Sequence, residues 1–136
     1  LIDASITYNN SFTTIKFISV LILILGFYRI INSIIDLGDN LSPLPAPKVS
    51  IKLVTTGIYK DVRHPIYQSL LLISTSVALF TGSLSQVIIF IMLSIVLRKK
   101  AKVEEERLKI LYAEYKDYMY ITPALFKGLI FFDWRG

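Results

Sequence analysis

The chain has 136 residues, 54% hydrophobic and 18% charged, with a mean hydropathy of +0.59. A soluble domain is about 45–50% apolar and about 25% charged, so this composition places one domain, residues 1–136, in a membrane. A net charge of +5 beside long apolar runs points to anionic lipid rather than nucleic acid, and no Cys with a single His excludes disulfides, thiolate chemistry and multi-His metal centres.

The first apolar run covers 15–35 (IKFISVLILILGFYRIINSII). At 1.5 Å per residue it is about 31 Å long, the thickness of a hydrocarbon core. Lys16 reaches headgroups at one end. Arg29, about two turns from the other end, either snorkels or turns inward to a carboxylate. The following loop contains Ser42-Pro43-Leu44-Pro45-Ala46-Pro47, whose alternate prolines predict a stiff, extended connection. A second apolar stretch, 66–97, is broken by Thr81-Gly82-Ser83. The break predicts a helical hairpin with arms over 66–80 and 84–97, each about 21–23 Å long and short for a full span.

From Arg98 the pattern turns charged and amphipathic without a breaker, which predicts that the last span continues as a helix over about 98–120. Leu108, Leu111, Tyr112, Tyr115 and Met119 share one face of it. Glu104 and Glu105 border that face, and Glu106 turns outward. Glu105 with Lys109 and Lys102 with Glu106 form i,i+4 pairs worth about 0.2–0.5 kcal/mol each. The end of the chain, Leu125 to Trp134, is rich in Phe and Trp and reads as an interfacial anchor.

Charge orients these elements. Lys48, Lys52, Lys60 and Arg63 precede the hairpin, Arg98, Lys99, Lys100, Lys102, Arg107 and Lys109 follow it, and its turn carries none. The positive-inside rule places both basic segments on the cytoplasmic side of a bacterial inner, endoplasmic reticulum or plastid membrane. The expected fold is therefore all-α: a multi-pass protein with one long span, a short hairpin and a cytoplasmic amphipathic helix.

Arg63-His64-Pro65-Ile66-Tyr67 stands where the basic loop enters the hairpin. Pro65 suits a first helical turn, where its missing N–H is no loss. The free N–H groups of that turn, with Arg63 and His64, make an electropositive spot at the membrane surface. On these residues alone, Arg63 and His64 are headgroup contacts or site residues, and Glu104 and Glu105 are a solvated face or ligands.

The order of segments is more specific than any one of them. Leu53-Val54-Thr55-Thr56-Gly57-Ile58-Tyr59 is followed by Val62-Arg63-His64-Pro65-Ile66-Tyr67, a hairpin with a Gly turn, Glu104-Glu105, and then Leu108, Tyr115 and Tyr118. This arrangement, over roughly 37–123, resembles the isoprenylcysteine carboxyl methyltransferase and phospholipid methyltransferase group of integral membrane enzymes. In that group the Arg-His-Pro-x-Tyr segment and the paired Glu help build an S-adenosylmethionine pocket at the cytoplasmic surface. The resemblance implies cofactor binding by Gly57, Tyr59, Arg63, His64, Pro65, Tyr67, Glu104 and Glu105. Arg63 and His64 are the implied catalytic residues, and no metal is implied. The chain departs from the group's pattern with Ile58 in place of a frequent Pro. Gln68-Ser69 stands where a small residue and Gly are common, and Ala124 where many members are basic.

The implied reaction is methyl transfer to a lipid, prenylated or other membrane-associated acceptor, with membrane lipids as further partners. The cofactor already carries the activation, and holding methyl and nucleophile in line is worth about 7–11 kcal/mol. A carboxylate acceptor needs no base. An ammonium does, and His64 is the side chain whose ordinary pKa, about 6.5, suits that role. The alternative is a non-catalytic structural or assembly subunit that keeps this fold and has other membrane subunits as partners.

Overall fold

The computed structural model describes residues 2–40 and 52–135. These residues are all-helical, as predicted: α1 (Ile2–Leu37), α2 (Pro65–Thr81), α3 (Leu84–Leu111) and α4 (Tyr115–Ile121), with 3-10 turns at Gly38–Asn40 and Gly57–Lys60. The proline run of residues 42–47 lies outside the described residues.

Within α1, Ser11–Leu37 is long and apolar enough to cross a membrane. Large side chains such as Phe17, Ile24, Phe27 and Ile31 point outward, as lipid contact requires. The inward seam is built of small residues two turns apart, with Ser19, Gly26 and Ser33 all buried. α2 runs antiparallel against it. Ser76 donates to the Ser19 carbonyl at 2.7 Å. Further along, a Cβ at Gly26 would come within 2.8 Å of Ile73 Cγ1. The two helices are held by this close approach at small residues and by the Ser76–Ser19 hydrogen bond across it. The seam hydroxyls of Ser19, Ser33 and Ser69 each donate to a carbonyl of their own helix, at 2.6–2.7 Å.

α2 starts with Pro65 in its first turn and ends at Gly82, whose φ of 61° caps it with a bond to the Ala78 carbonyl. After the extended Ser83, α3 returns beside α2, with Leu71, Leu97 and Leu125 forming the core between them. The predicted hairpin and its Gly turn are therefore present. Leu84, Ile88, Ile91 and Met92 on the apolar half of α3 are exposed.

Beyond Lys100 the structure corrects the sequence reading. The single helix expected over 98–120 is divided: α3 stops at Leu111, Tyr112 is extended (φ −127°, ψ 114°), and α4 begins at Tyr115. Neither Gly nor Pro causes the break. It turns Tyr115 and Met119 into the interior, where both are buried, while Leu111 on the expected apolar face stays 41% exposed. Tertiary burial wins over local helix propensity, which differs little among these residues. The expected Glu105–Lys109 and Lys102–Glu106 pairs are absent. Lys109 instead meets Glu106 at 2.9 Å, because Glu105 is engaged inside, and Lys102 lies over the Trp134 ring.

The C-terminal segment is also more than an anchor. Residues 123–125 lie against the start of α2, where Arg63 N–H meets the Pro123 carbonyl at 2.9 Å and His64 N–H meets that of Ala124 at 3.1 Å. The Gln68 amide donates to the Leu125 carbonyl at 2.6 Å. Phe131 and Trp134 then close over the Arg98 guanidinium, at 4.4 and 5.7 Å from the ring centroids.

Candidate functional site

The loop that carries the basic motif is fastened at two points. Gly57 has φ +59°, and a Cβ there would collide with the Asp36 carboxylate at the end of α1. That carboxylate accepts the Ile58 N–H at 2.8 Å. Proline at position 58 would have no N–H to give, so the departure at Ile58 has a structural use. On the other side the Tyr118 hydroxyl donates to the Tyr59 carbonyl at 2.5 Å, tying α4 to the loop.

Arg63 is thereby held inside the fold, 4% exposed. Its Nη1 donates to the Met119 carbonyl at 2.8 Å and its Nη2 to the Trp134 carbonyl at 2.5 Å. Its Nε lies 3.0 Å from Glu105 Oε1, an ion-pair contact without hydrogen-bond alignment. His64 Nε2 reaches the same oxygen at 2.9 Å, across 41 residues of sequence. The Trp134 indole N–H fills Oε2 at 2.6 Å. Glu105, 2% exposed, therefore has both oxygens taken by protein donors.

Glu104 is one residue away and differently placed. Its side chain is 48% exposed, and its Oε2 accepts the Tyr67 hydroxyl at 2.8 Å while lying 4.0 Å from His64 Nδ1. The His64 and Tyr67 rings stack at 5.4 Å with a 7° angle. The Lys100 ammonium stands 5.4 Å from the Tyr67 ring centroid. Tyr59 is buried beside this group, and burial, then the charges of Glu104 and Asp36, push its hydroxyl well above the ordinary value.

The structure thus gathers Arg63, His64, Tyr67, Glu104 and Glu105 into one cluster with Tyr59 beside it. Gly57 and Pro65 contribute backbone shape, through a positive φ and a first helical turn. Sequence reasoning missed Lys100, read only as part of a basic segment, and Trp134. The spacing of Trp134 from the motifs carries no periodic signal, because a non-helical segment delivers it.

Burial opposes the charge on Glu105, but the His64 hydrogen bond, the charge the His64 ring carries when protonated, the Arg63 charge and the Trp134 N–H outweigh it and hold the carboxyl below its usual range. A depressed carboxylate stabilises the fold fully above its unfolded value, about 4.3, and loses that contribution as pH falls through the folded value. Thermal unfolding in detergent should therefore show no loss from this group between pH 7 and about 5. Below that the melting temperature should fall, and Glu105→Gln should flatten this acid limb. An acid limb unchanged in Glu105→Gln would contradict the assignment.

Residues 14–115 match the phospholipid methyltransferase family. The chain belongs to that family. No curated protein matches it. The family match spans Arg63-His64 and Glu104-Glu105 and ends at the first residue of α4, so Met119 and Trp134, which hold Arg63, lie beyond the matched residues. Membership makes this a membrane methyltransferase fold and implies lipid substrates for the family.

Proposed function

We propose that this chain transfers a methyl group from S-adenosylmethionine to a lipid, prenylated or other membrane-associated acceptor at the cytoplasmic membrane surface. The observation that supports it most is the joining of Arg63-His64-Pro65-Ile66-Tyr67 to Glu104-Glu105 in a phospholipid methyltransferase family chain. The cofactor would supply an activated methyl group. Its ammonium or ribose hydroxyls suit the half-exposed Glu104 carboxylate, its carboxylate suits Lys100, and its ring or sulfonium suits the stacked His64–Tyr67 face.

Arg63 and Glu105 are enclosed and act as positioning residues behind that face. A carboxylate can only accept, so His64 Nε2 carries the proton toward Glu105, and Nδ1 is the lone-pair nitrogen of the neutral ring. Nδ1 is then the atom that would take a proton from an ammonium acceptor. The rest is alignment of the reacting atoms.

Titration of the detergent-purified protein with S-adenosylmethionine tests this reading. Micromolar binding is expected, with Glu104→Ala about tenfold weaker, or 1.4 kcal/mol, and Glu106→Ala unchanged. Equal effects would reduce Glu104 to a solvated side chain. Absence of binding up to millimolar cofactor would favour the second reading, a non-catalytic subunit of a larger membrane complex. That reading draws on the enclosure of Glu105, whose oxygens are spent inside the fold.

The proposal includes a multi-pass arrangement in which α1, α2 and the apolar half of α3 cross the bilayer, with both basic segments in the cytoplasm. The chain has no Cys, so single probes are clean. Ser83→Cys should label only from outside and Lys100→Cys only from the cytoplasm. The reverse pattern would overturn the topology.

A further inference from the structure

A cleft of ≈ 460 Å³ opens between α1, the turn before Arg63, the start of α2 and the C-terminal segment, and Arg29, Lys60 and Lys127 line it. Among the described residues that line it the one carboxylate is Asp61, which leaves these side chains two charges positive. None of the three cations makes an ion pair among the described residues. Arg29 Nε is buried without a hydrogen-bond partner, and so is Oε1 of Gln68, another lining residue. The Gln68 amide is fixed by its bond to the Leu125 carbonyl, which leaves Oε1 as a directed, unused acceptor. Arg29 is also the one charge in α1 between Lys16 and Asp36. A cation at that depth is costly in lipid unless it meets a partner, and the Asp61 carboxylate acts on Arg29 across the cleft without closing to ion-pair distance.

We propose that this cleft holds the headgroup phosphate of an anionic glycerophospholipid, gripped by Arg29, Lys60 and Lys127. Three cations against one carboxylate leave a positive surplus that attracts a negative headgroup, and basic clefts beside membrane helices take such headgroups. Asp61 and Gln68 Oε1 offer acceptors to headgroup hydroxyls. Depth selects a lipid over a free anion. Arg29 lies eight residues inside the end of α1, about 12 Å along the helix, at a level a lipid phosphate reaches from the bilayer. Leu25, one turn deeper on the same side of α1, is 46% exposed and gives an acyl chain an apolar track. His64, Tyr67, Glu104, Glu105 and Trp134 do not line the cleft, so the site is separate from the proposed methyl-transfer site.

Native mass spectrometry of the protein in neutral detergent doped with phosphatidylglycerol tests this. The wild-type protein should retain phosphatidylglycerol about tenfold more than phosphatidylcholine at the same mole fraction. Arg29→Gln and Lys127→Gln should each remove that preference, whereas Lys116→Gln, an equal loss of charge on exposed α4 surface, should keep it. Lys127 is exposed, so its variant tests the site even where Arg29→Gln fails to fold. Equal retention of the two lipids overturns the proposal, as does a preference that survives Lys127→Gln. Displacement by inorganic phosphate would mark a free-anion site and overturn the lipid assignment. Binding of S-adenosylmethionine by Lys127→Gln should match wild type, so the two sites stand or fall separately. A parallel loss of both would overturn their separation.

Discussion

Replacing Glu105 by Ala is expected to destabilise the fold by about 3–5 kcal/mol, because it strands the enclosed Arg63 guanidinium without its counter-charge. Total stability of a domain is only about 5–15 kcal/mol, so a large share is at stake. The His64 ring and the Trp134 indole lose their acceptor at the same time, and an unpaired buried donor costs about 1–3 kcal/mol in its own right. These losses share one network and will not add. Glu105→Gln keeps an acceptor while removing the charge, and should fall between Ala and wild type. Glu106 is exposed and holds only a surface pair with Lys109, so Glu106→Ala should stay within about 0.5 kcal/mol. Thermal unfolding in detergent, followed by circular dichroism, ranks the four proteins. Equal melting temperatures for Glu105→Ala and Glu106→Ala would show that the enclosed network is not structural.

Gly26→Val is the second large effect. The first added carbon already falls 2.8 Å from Ile73 Cγ1 and 3.4 Å from both the Ile73 nitrogen and the Ser69 carbonyl. Two further methyl groups then have no free volume on that side. Overpacking of this kind costs about 1–3 kcal/mol where side chains can shift. Here backbone blocks the retreat, so α1 must move away from α2. Gly26→Ala should be milder, since the Ile73 side chain can rotate. A Ser19→Cys/Ser76→Cys pair reports the approach directly in this Cys-free chain, because the native residues touch. Disulfide formation should be rapid in the Gly26 background and largely lost with Gly26→Val. Retained crosslinking in the Val variant would show that the seam tolerates bulk.

The elements that could be read from sequence were those fixed by short-range rules. Apolar runs mark the helices, Gly82 marks the turn, and Pro65 marks a helix start. The meeting of His64 with the paired Glu also followed, since a hairpin must bring its ends together. What stayed hidden was decided at long range. Glu104 and Glu105 both border the inward face on a helical wheel, yet one is open and the other sealed. The difference comes from Trp134, which arrives on a non-periodic strap. The break at Tyr112 is likewise set by burial of Tyr115, not by a local breaker. The three departures from the family pattern acquire reasons only in the folded chain. Ile58 gives an N–H to Asp36, Gln68 grips Leu125, and Ala124 is fully buried where a long basic side chain would have no room.

Small residues recur every seven positions on both partners of the α1–α2 seam, at Ser19, Gly26 and Ser33 against Ser69 and Ser76. A seam of this kind is nearly symmetric to translation. Sliding α2 by one repeat, about 10 Å, would again set small residue against small residue. Because most seam hydroxyls bond within their own helix, only the Ser76–Ser19 bond among them marks the native alignment. The register is therefore fixed mainly at the C-terminal end of α1, where the Asp36 carboxylate grips the Gly57–Ile58 backbone. That clamp sits outside the apolar seam, yet it decides which of several near-equivalent pairings α1 and α2 adopt.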